Sequence, residues 1–257
     1  MSATWTYWRA YATAATIDHT VLRLRKYIEP IVDLNERWFF VRYTDLRGLH
    51  VRFRALTSVR RADELHSSRN QVGAHIESDL YEPEFGKWGR ANAVVAAEKA
   101  FHVSSELAVE TLRAAEDRLV TAALTFKLVL AQLVPDLTIR AAMLKTHALW
   151  WLADAQNAGV QFEAALAHAR LRASTNMARH LDTHSISISA KTEDLIMQFT
   201  QALSNAIDFA GLQHPPAYHL HQHLHLTMNR LGLAPDQEAS AALYNLALLE
   251  AERENFR

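Results

Sequence analysis

Trp38-Phe39-Phe40-Val41-Arg42-Tyr43, a turn at Asp45-Leu46-Arg47-Gly48, and His50-Val51-Arg52-Phe53-Arg54 form the stretch whose reading decides the fold. Two runs rich in aromatic and β-branched residues, about 37–44 and 49–56, flank a glycine-closed turn, which predicts an antiparallel hairpin. Side chains alternate faces along a strand, so His50, Arg52 and Arg54 share one side while Val51 and Phe53 bury the other. Phe39, Val41 and Tyr43 leave the partner strand rich in apolar groups on both faces, which predicts a sheet covered on both sides. Three cationic or proton-carrying groups in a row make poor core filler, because buried charge is costly unless paired. They suit an anionic ligand, and the planar fork of arginine binds carboxylates bidentately.

Working outward, residues 4–11 read as a strand with Trp5, Tyr7, Arg9 and Tyr11 on one face. Asp18 is placed as the N-cap of a helix carrying Val21, Leu22, Leu24, Ile28, Ile31 and Val32 at helical spacing. A polar helix is expected over roughly 61–77. Pro83 disfavours helix before it, so Tyr81–Trp88 reads as extended. The order β-α-β-β-α-β predicts a ferredoxin-like antiparallel sheet with helices on one face. From Ala91 onward the pattern is helical, with segments near 91–115, 117–133, 137–154, 157–181, 191–210, 216–231 and 236–255. The fold class is therefore α+β: an N-terminal ferredoxin-like sheet followed by a mostly helical C-terminal part. With 7 Gly and 6 Pro in 257 residues there is little room for linkers. Residues 1–257 read as a single domain, with 1–90 as the sheet portion and 91–257 as the helical portion.

Composition narrows the function classes. A formal net charge of −1 gives no global pull toward nucleic acid or anionic membrane. The absence of cysteine excludes disulfides, thiolate metal sites and cysteine nucleophiles, and fits a reducing compartment. The N-terminus lacks the layout of a signal peptide, and apolar stretches are broken by Lys or Arg short of a membrane span. The expectation is a cytoplasmic protein with no membrane partner and no direct nucleic-acid partner. No glycine-rich phosphate loop, GxSxG or dinucleotide fingerprint is present, so no cofactor is expected.

Beside the basic strand, Glu82 and Glu84 lie two apart in Tyr81-Glu82-Pro83-Glu84-Phe85-Gly86-Lys87, and Glu84 can meet Lys87 if the chain turns at Gly86. The stretch His214, His219, His221, His223, His225 places His221 and His225 one helical turn apart, a zinc-like spacing. Neither HExxH nor a third ligand accompanies them, so no metal is assigned. His225 above Asn229 is the functional histidine expected here, because the histidine side chain as a type suits acid–base work near neutral pH. The other histidines read as helix surface. Trp150-Trp151 and Phe126, Leu128 and Leu130 read as core.

Four segments resemble the elimination domain of class I lantibiotic (lanthipeptide) dehydratases, a fold shared with thiopeptide and pyritide pyridine synthases. The aromatic strand, turn and His50-Val51-Arg52-Phe53-Arg54 resemble that family's His-Leu-Arg-Leu-Arg hairpin. Tyr81-Glu82-Pro83-Glu84 through Lys87-Trp88-Gly89 resembles its Tyr-Glu-Pro-Glu segment. Ala97-Glu98-Lys99-Ala100-Phe101-His102-Val103-Ser104-Ser105 resembles the helix that follows. His225 with Asn229-Arg230-Leu231 resembles the closing His-x-x-x-Asn-Arg-Leu. The resemblance implies an enzyme that removes glutamate from glutamylated Ser or Thr of a precursor peptide, leaving dehydroalanine or dehydrobutyrine. Its implied partners are that precursor with its leader and a separate glutamyl-tRNA-dependent glutamylation protein. Monomer or homodimer stays open.

On this reading Arg52, Arg54, Glu84 and His225 are catalytic. Tyr81, Glu82, Lys87, His50, Asn229 and Arg230 bind substrate. The alternative implied by the same fold is a formal [4+2] cycloaddition of two dehydroalanines with leader release and macrocyclisation. A second alternative is a non-catalytic scaffold that binds a leader peptide. Three departures from the family pattern stand out. Lys87 occupies a position where arginine is usual, Trp88-Gly89-Arg90 replaces Tyr-Gly-Gly, and Ser104 replaces an Asp.

Overall fold

The computed structural model describes residues 3–30, 37–152, 162–171, 188–211 and 214–255. The first elements are β1 (Ala3–Tyr11), α1 (Ile17–Ile28), β2 (Trp38–Asp45), β3 (Gly48–Ser58), α2 (Val59–Ser68) running into a 3-10 turn (Arg69–Val72), and β4 (His75–Asp79). After them come α3 (Phe85–Trp88), α4 (Ala91–Arg113), α5 (Arg118–Leu133), α6 (Leu137–Leu152) and a helical stretch over residues 162–171 (α7). The last are α8 (Ala190–Ala210), α9 (Pro216–Leu231) and α10 (Pro235–Asn255). The sheet order is β2-β3-β1-β4 with every neighbouring pair antiparallel, the ferredoxin-like arrangement expected. None of the described helices is long and apolar enough to cross a membrane.

The hairpin forms where the turn chemistry asks for it. Gly48 takes a φ of 123°, which a side chain would resist, and the Arg47 amide donates to Asp45 Oδ1 at 2.8 Å. Three local expectations change. Asp18 lies inside the first turn of α1, with Thr16 as the N-cap residue; there its charge meets the positive helix end and pairs with Arg42 at 2.6 Å. The helix expected over 61–77 stops at Ser68, because Gly73 turns left-handed (φ 67°) and releases the chain into β4. The fourth strand is therefore His75–Asp79 rather than Tyr81–Trp88. Pro83 has no amide to give a ladder, and Phe85–Trp88 closes into one helical turn. Ile31 and Val32 lie outside the described residues.

The chain divides into two compact units, Met1–Ala115 with Gln201–Arg230, and Glu116–Thr200 with Leu231–Arg257. In the first, one sheet face buries Trp8, Trp38, Phe40 and Phe53, each at most 1% exposed. Trp8 packs 6.0 Å from Tyr27 of α1 and 5.9 Å from His66 of α2. Each such side chain contributes about 1.5–3 kcal/mol by leaving water. Glu106 of α4 ties this layer together, accepting from Arg25 Nε at 3.0 Å and Trp38 Nε1 at 2.8 Å. The outer edge of β2 is covered by side chains. His102 Nδ1 donates to the Trp38 carbonyl at 3.1 Å, and the Phe40 amide donates to Ser105 Oγ at 3.3 Å. Asn229 takes both groups of Arg42, accepting from its amide at 2.9 Å and donating to its carbonyl at 3.0 Å. Unpaired strand edges invite foreign strands, and these bonds close this one.

The second unit buries Phe126 and Leu130 of α5 with Leu243, Leu246 and Leu249 of α10, and seals a His147–Glu238 contact of 2.7 Å between α6 and α10. A cavity of about 360 Å³ opens beside α5, α7 and α10, with Lys127, His168 and Tyr244 in its wall. Trp150, read as core, is 62% exposed, because the last turn of α6 turns it away from the packed side that holds Leu144, His147 and Ala148.

Candidate functional site

The face of the sheet opposite Trp8 carries the residues singled out in the sequence. Their surroundings divide them into an outer polar group and an inner buried group.

Arg52 belongs to the outer group. Its guanidinium carbon lies 3.3 Å from the centre of the Tyr43 ring, and its Nε donates to His50 Nε2 at 3.5 Å. His50 is fully buried between Tyr11 and Tyr43, with its Nδ1 3.1 Å from the Gly48 carbonyl. A proton on Nδ1 for Gly48 leaves Nε2 free to accept, so the hairpin turn fixes the tautomer that faces Arg52. His50 thus positions Arg52. Arg9 of β1 stands across from Arg52 in the ladder and is paired with Asp79.

Arg54 leads the inner group. It sits in an aromatic box, with ring centres of Tyr7, Tyr81 and Phe39 at 4.5, 5.3 and 5.4 Å. Ring faces attract a guanidinium but accept no strong hydrogen bond, and Arg54 Nε has no partner. Burial pulls its proton affinity down, and Tyr7, Tyr81 and Glu84 partly offset this. Tyr81 is itself held by Trp5 (4.7 Å) and Phe39 (5.9 Å), and its hydroxyl donates to Glu98 Oε1 at 2.9 Å. Glu98 is 2% exposed, with Arg37 at 3.4 Å from its other oxygen. Burial raises the Glu98 carboxyl above its ordinary value despite those partners, and burial also raises the Tyr81 hydroxyl.

Arg230 completes the inner group from α9. It is 1% exposed, lies 5.0 Å over the Phe101 ring, and none of its three guanidinium nitrogens has a hydrogen-bond partner. Burial first, then repulsion from Arg54, pulls it down to about 9. The turn of α3 brings Glu84 and Lys87 to the same place. Burial and Arg230 lower the Lys87 amine while Glu84 supports its charge, and Glu84 Oε2 accepts from Trp88 Nε1 at 3.3 Å. His223, two helical turns before Arg230, is packed 4.7 Å from Trp88 and 5.0 Å from Phe101.

The structure thus gathers Arg54, Tyr81, Glu84, Lys87 and Arg230, with Arg52 alongside. Glu82 and Glu84 are both exposed, and Glu84 is the one that reaches Trp88. The Asn229 carboxamide is spent on the backbone of Arg42. His225 is half-buried, one turn before Asn229 and roughly 140° around the helix from Arg230. Two histidines read as helix surface are buried instead, His219 at 2% and His223 at 1% exposure. Four members were missed: Tyr7, Arg37, Glu98 and His223. The i, i+4, i+11 spacing of His219, His223 and Arg230 was the available signal for His223. Nothing local marks Glu98, whose role exists only because Tyr81 folds against it.

The family model described as the C-terminal part of lantibiotic biosynthesis dehydratase matches residues 5–248. The chain belongs to this family. No curated protein sequence matches it. Among solved structures, the tRNA-dependent lantibiotic dehydratase MibB from Microbispora sp. 107891 superposes with a TM-score of 0.61 at 19% identity, covering 98% of this chain and 28% of MibB. The pyridine synthase TbtD from thiomuracin biosynthesis gives a TM-score of 0.68 at 17% identity, covering 98% of this chain and 99% of TbtD. TsrL gives 0.56 at 14% identity, covering 99% of this chain and 96% of TsrL. At these identities the likeness is one of fold. The chain spans a little over a quarter of the length of MibB.

Proposed function

We propose that this member of the lantibiotic dehydratase C-terminal family is a lyase of ribosomal-peptide modification, removing glutamate from glutamylated Ser or Thr of a precursor peptide. The observation that carries the reading is the buried, unsatisfied guanidinium of Arg230 beside that of Arg54. An uncompensated buried charge costs several kcal/mol, and one left beside another of the same sign calls for an anion. A carboxylate supplies it.

The elimination needs that charge. A base removes the Cα proton, the Cα–H electrons form the C=C bond, and the Cβ–O bond breaks to release the glutamyl group as a carboxylate. Negative charge develops on the adjacent amide oxygen and on the departing carboxylate, where fixed cations stabilise it without reorganisation. Arg54 and Arg230 bind the glutamyl carboxylate. Arg52, aimed by His50, faces the amide oxygen. Glu84 and Lys87 position the group, Asn229 holds the strand edge beneath, and His225 exchanges protons. The glutamylated peptide comes from a separate glutamyl-tRNA-dependent protein, which places the work in the cytoplasm.

Mass spectrometry of two peptides incubated with the purified protein tests this. One carries glutamylated serines and the other carries installed dehydroalanines. Loss of glutamate from the first supports the lyase. Conversion of the second with leader release and a new ultraviolet-absorbing ring would replace it with pyridine formation by cycloaddition. Binding of either peptide without conversion would leave a scaffold.

A further inference from the structure

His223 is a buried titratable group of the inner cluster that the elimination chemistry above leaves unused. Its ring is sandwiched by Trp88 of α3 and Phe101 of α4, and its Nδ1 has no hydrogen-bond partner. The charged groups facing it are Arg230 and His219 on its own helix and Lys87 on α3, with His214 beside His219. Every one of them is a cation or a potential cation. An imidazole so placed is kept neutral by burial and by that field, and its ionisation lies well below the ordinary histidine value.

The same arrangement makes His223 sensitive to whatever enters beside Arg230. An anion bound there cancels part of the field that keeps the ring neutral. We infer that His223 is an anion-responsive proton acceptor: when a carboxylate occupies the Arg54–Arg230 pair, His223 takes a proton from solvent and holds it beside the bound group. The inference rests on the reading of that pair as a carboxylate site. The proton adds to the imidazole, and no other bond changes. The bound carboxylate gains a third cationic neighbour, while the empty site avoids burying one more positive charge. Anion affinity and proton affinity then strengthen one another by the same factor, as linkage requires.

The experiment is calorimetric titration of the purified protein with L-glutamate at pH 6.5, in MES and in bis-tris, whose ionisation enthalpies differ. Glutamate itself does not titrate near this pH. The expected result is uptake of about half a proton per glutamate bound, with affinity rising two- to threefold per pH unit lowered. In H223Q, binding persists and the uptake disappears. If H223Q fails to fold, H223N repeats the test, and H219Q, retaining the uptake, assigns it to His223 rather than to the histidine one turn before it. Absence of any binding heat in the wild type would overturn the carboxylate site and this inference together. Binding with equal heats in both buffers would leave the carboxylate site standing and overturn the role of His223. Uptake that survives H223Q, or vanishes only in H219Q, would also overturn it.

Discussion

Arg54 of β3 depresses the proton affinity of Arg230 of α9, and no nitrogen of Arg230 meets an acceptor. Two like charges brought together from distant parts of the chain cost stability in the empty protein. The expected consequence is that R230M is more stable than the wild type by about 1–3 kcal/mol in urea unfolding, since it deletes an uncompensated buried charge. The same variant loses the stabilisation that L-glutamate gives the wild type, which reaches about 2.7 kcal/mol at a hundredfold excess over Kd. A destabilised R230M that still responded to glutamate would place the anion elsewhere.

Arg54 depends on three ring faces, which suit a flat guanidinium better than a compact ammonium. R54K keeps the charge yet loses the stacked fork, so glutamate affinity falls about tenfold, or ~1.4 kcal/mol. Y81F removes the hydroxyl given to Glu98 and leaves the ring on Arg54, so its effect on affinity is the smaller of the two. Calorimetry of the two variants side by side measures both effects.

Acid weakens the empty protein in a defined window. His102, His219 and His223 all ionise below the ordinary value of 6.5, burial being the largest cause in each. As the pH falls through about 6.5 the unfolded chain binds protons that the folded protein still refuses, so stability declines with falling pH. His223 contributes at most about 1.4 kcal/mol per pH unit to that slope. H223Q flattens the decline, and saturating L-glutamate flattens it in the wild type. Urea midpoints at intervals from pH 7.5 to 5 measure it.

Asn229 occupies both backbone groups of Arg42 on the strand edge. N229A costs about 1–3 kcal/mol from the two lost bonds and the exposed edge. Hydrogen exchange at the Arg42 amide accelerates with it, while the amides of Val51 and Phe53 in the hairpin interior stay protected.

The hairpin and its alternation were legible because neighbours along a strand dictate them. Val51, Phe53 and Ala55 are buried and Arg52 and Arg54 face away, as the period of two requires. The fourth strand was misplaced because Gly73 and the pairing of His75–Asp79 with β1 outweigh the local extended preference of Tyr81–Trp88. His219 and His223 were misjudged for a related reason: a histidine on a helix is polar locally, and only Trp88 and Phe101 packing on it make it buried.

Sequence by itself determined the α+β class, the basic row of β3, the family resemblance and most members of the candidate site. All of these rest on residues adjacent in the chain or at fixed helical and strand periods. Tertiary structure decided which cations are brought together and which are spent. Arg52 is held by His50 and Tyr43, Asn229 is consumed by a strand edge, and Arg54 and Arg230 converge without an acceptor. The physical reason is that burial and charge–charge repulsion act through space, so the pairing of Arg54 with Arg230 exists only once β3 and α9 have packed in the same unit.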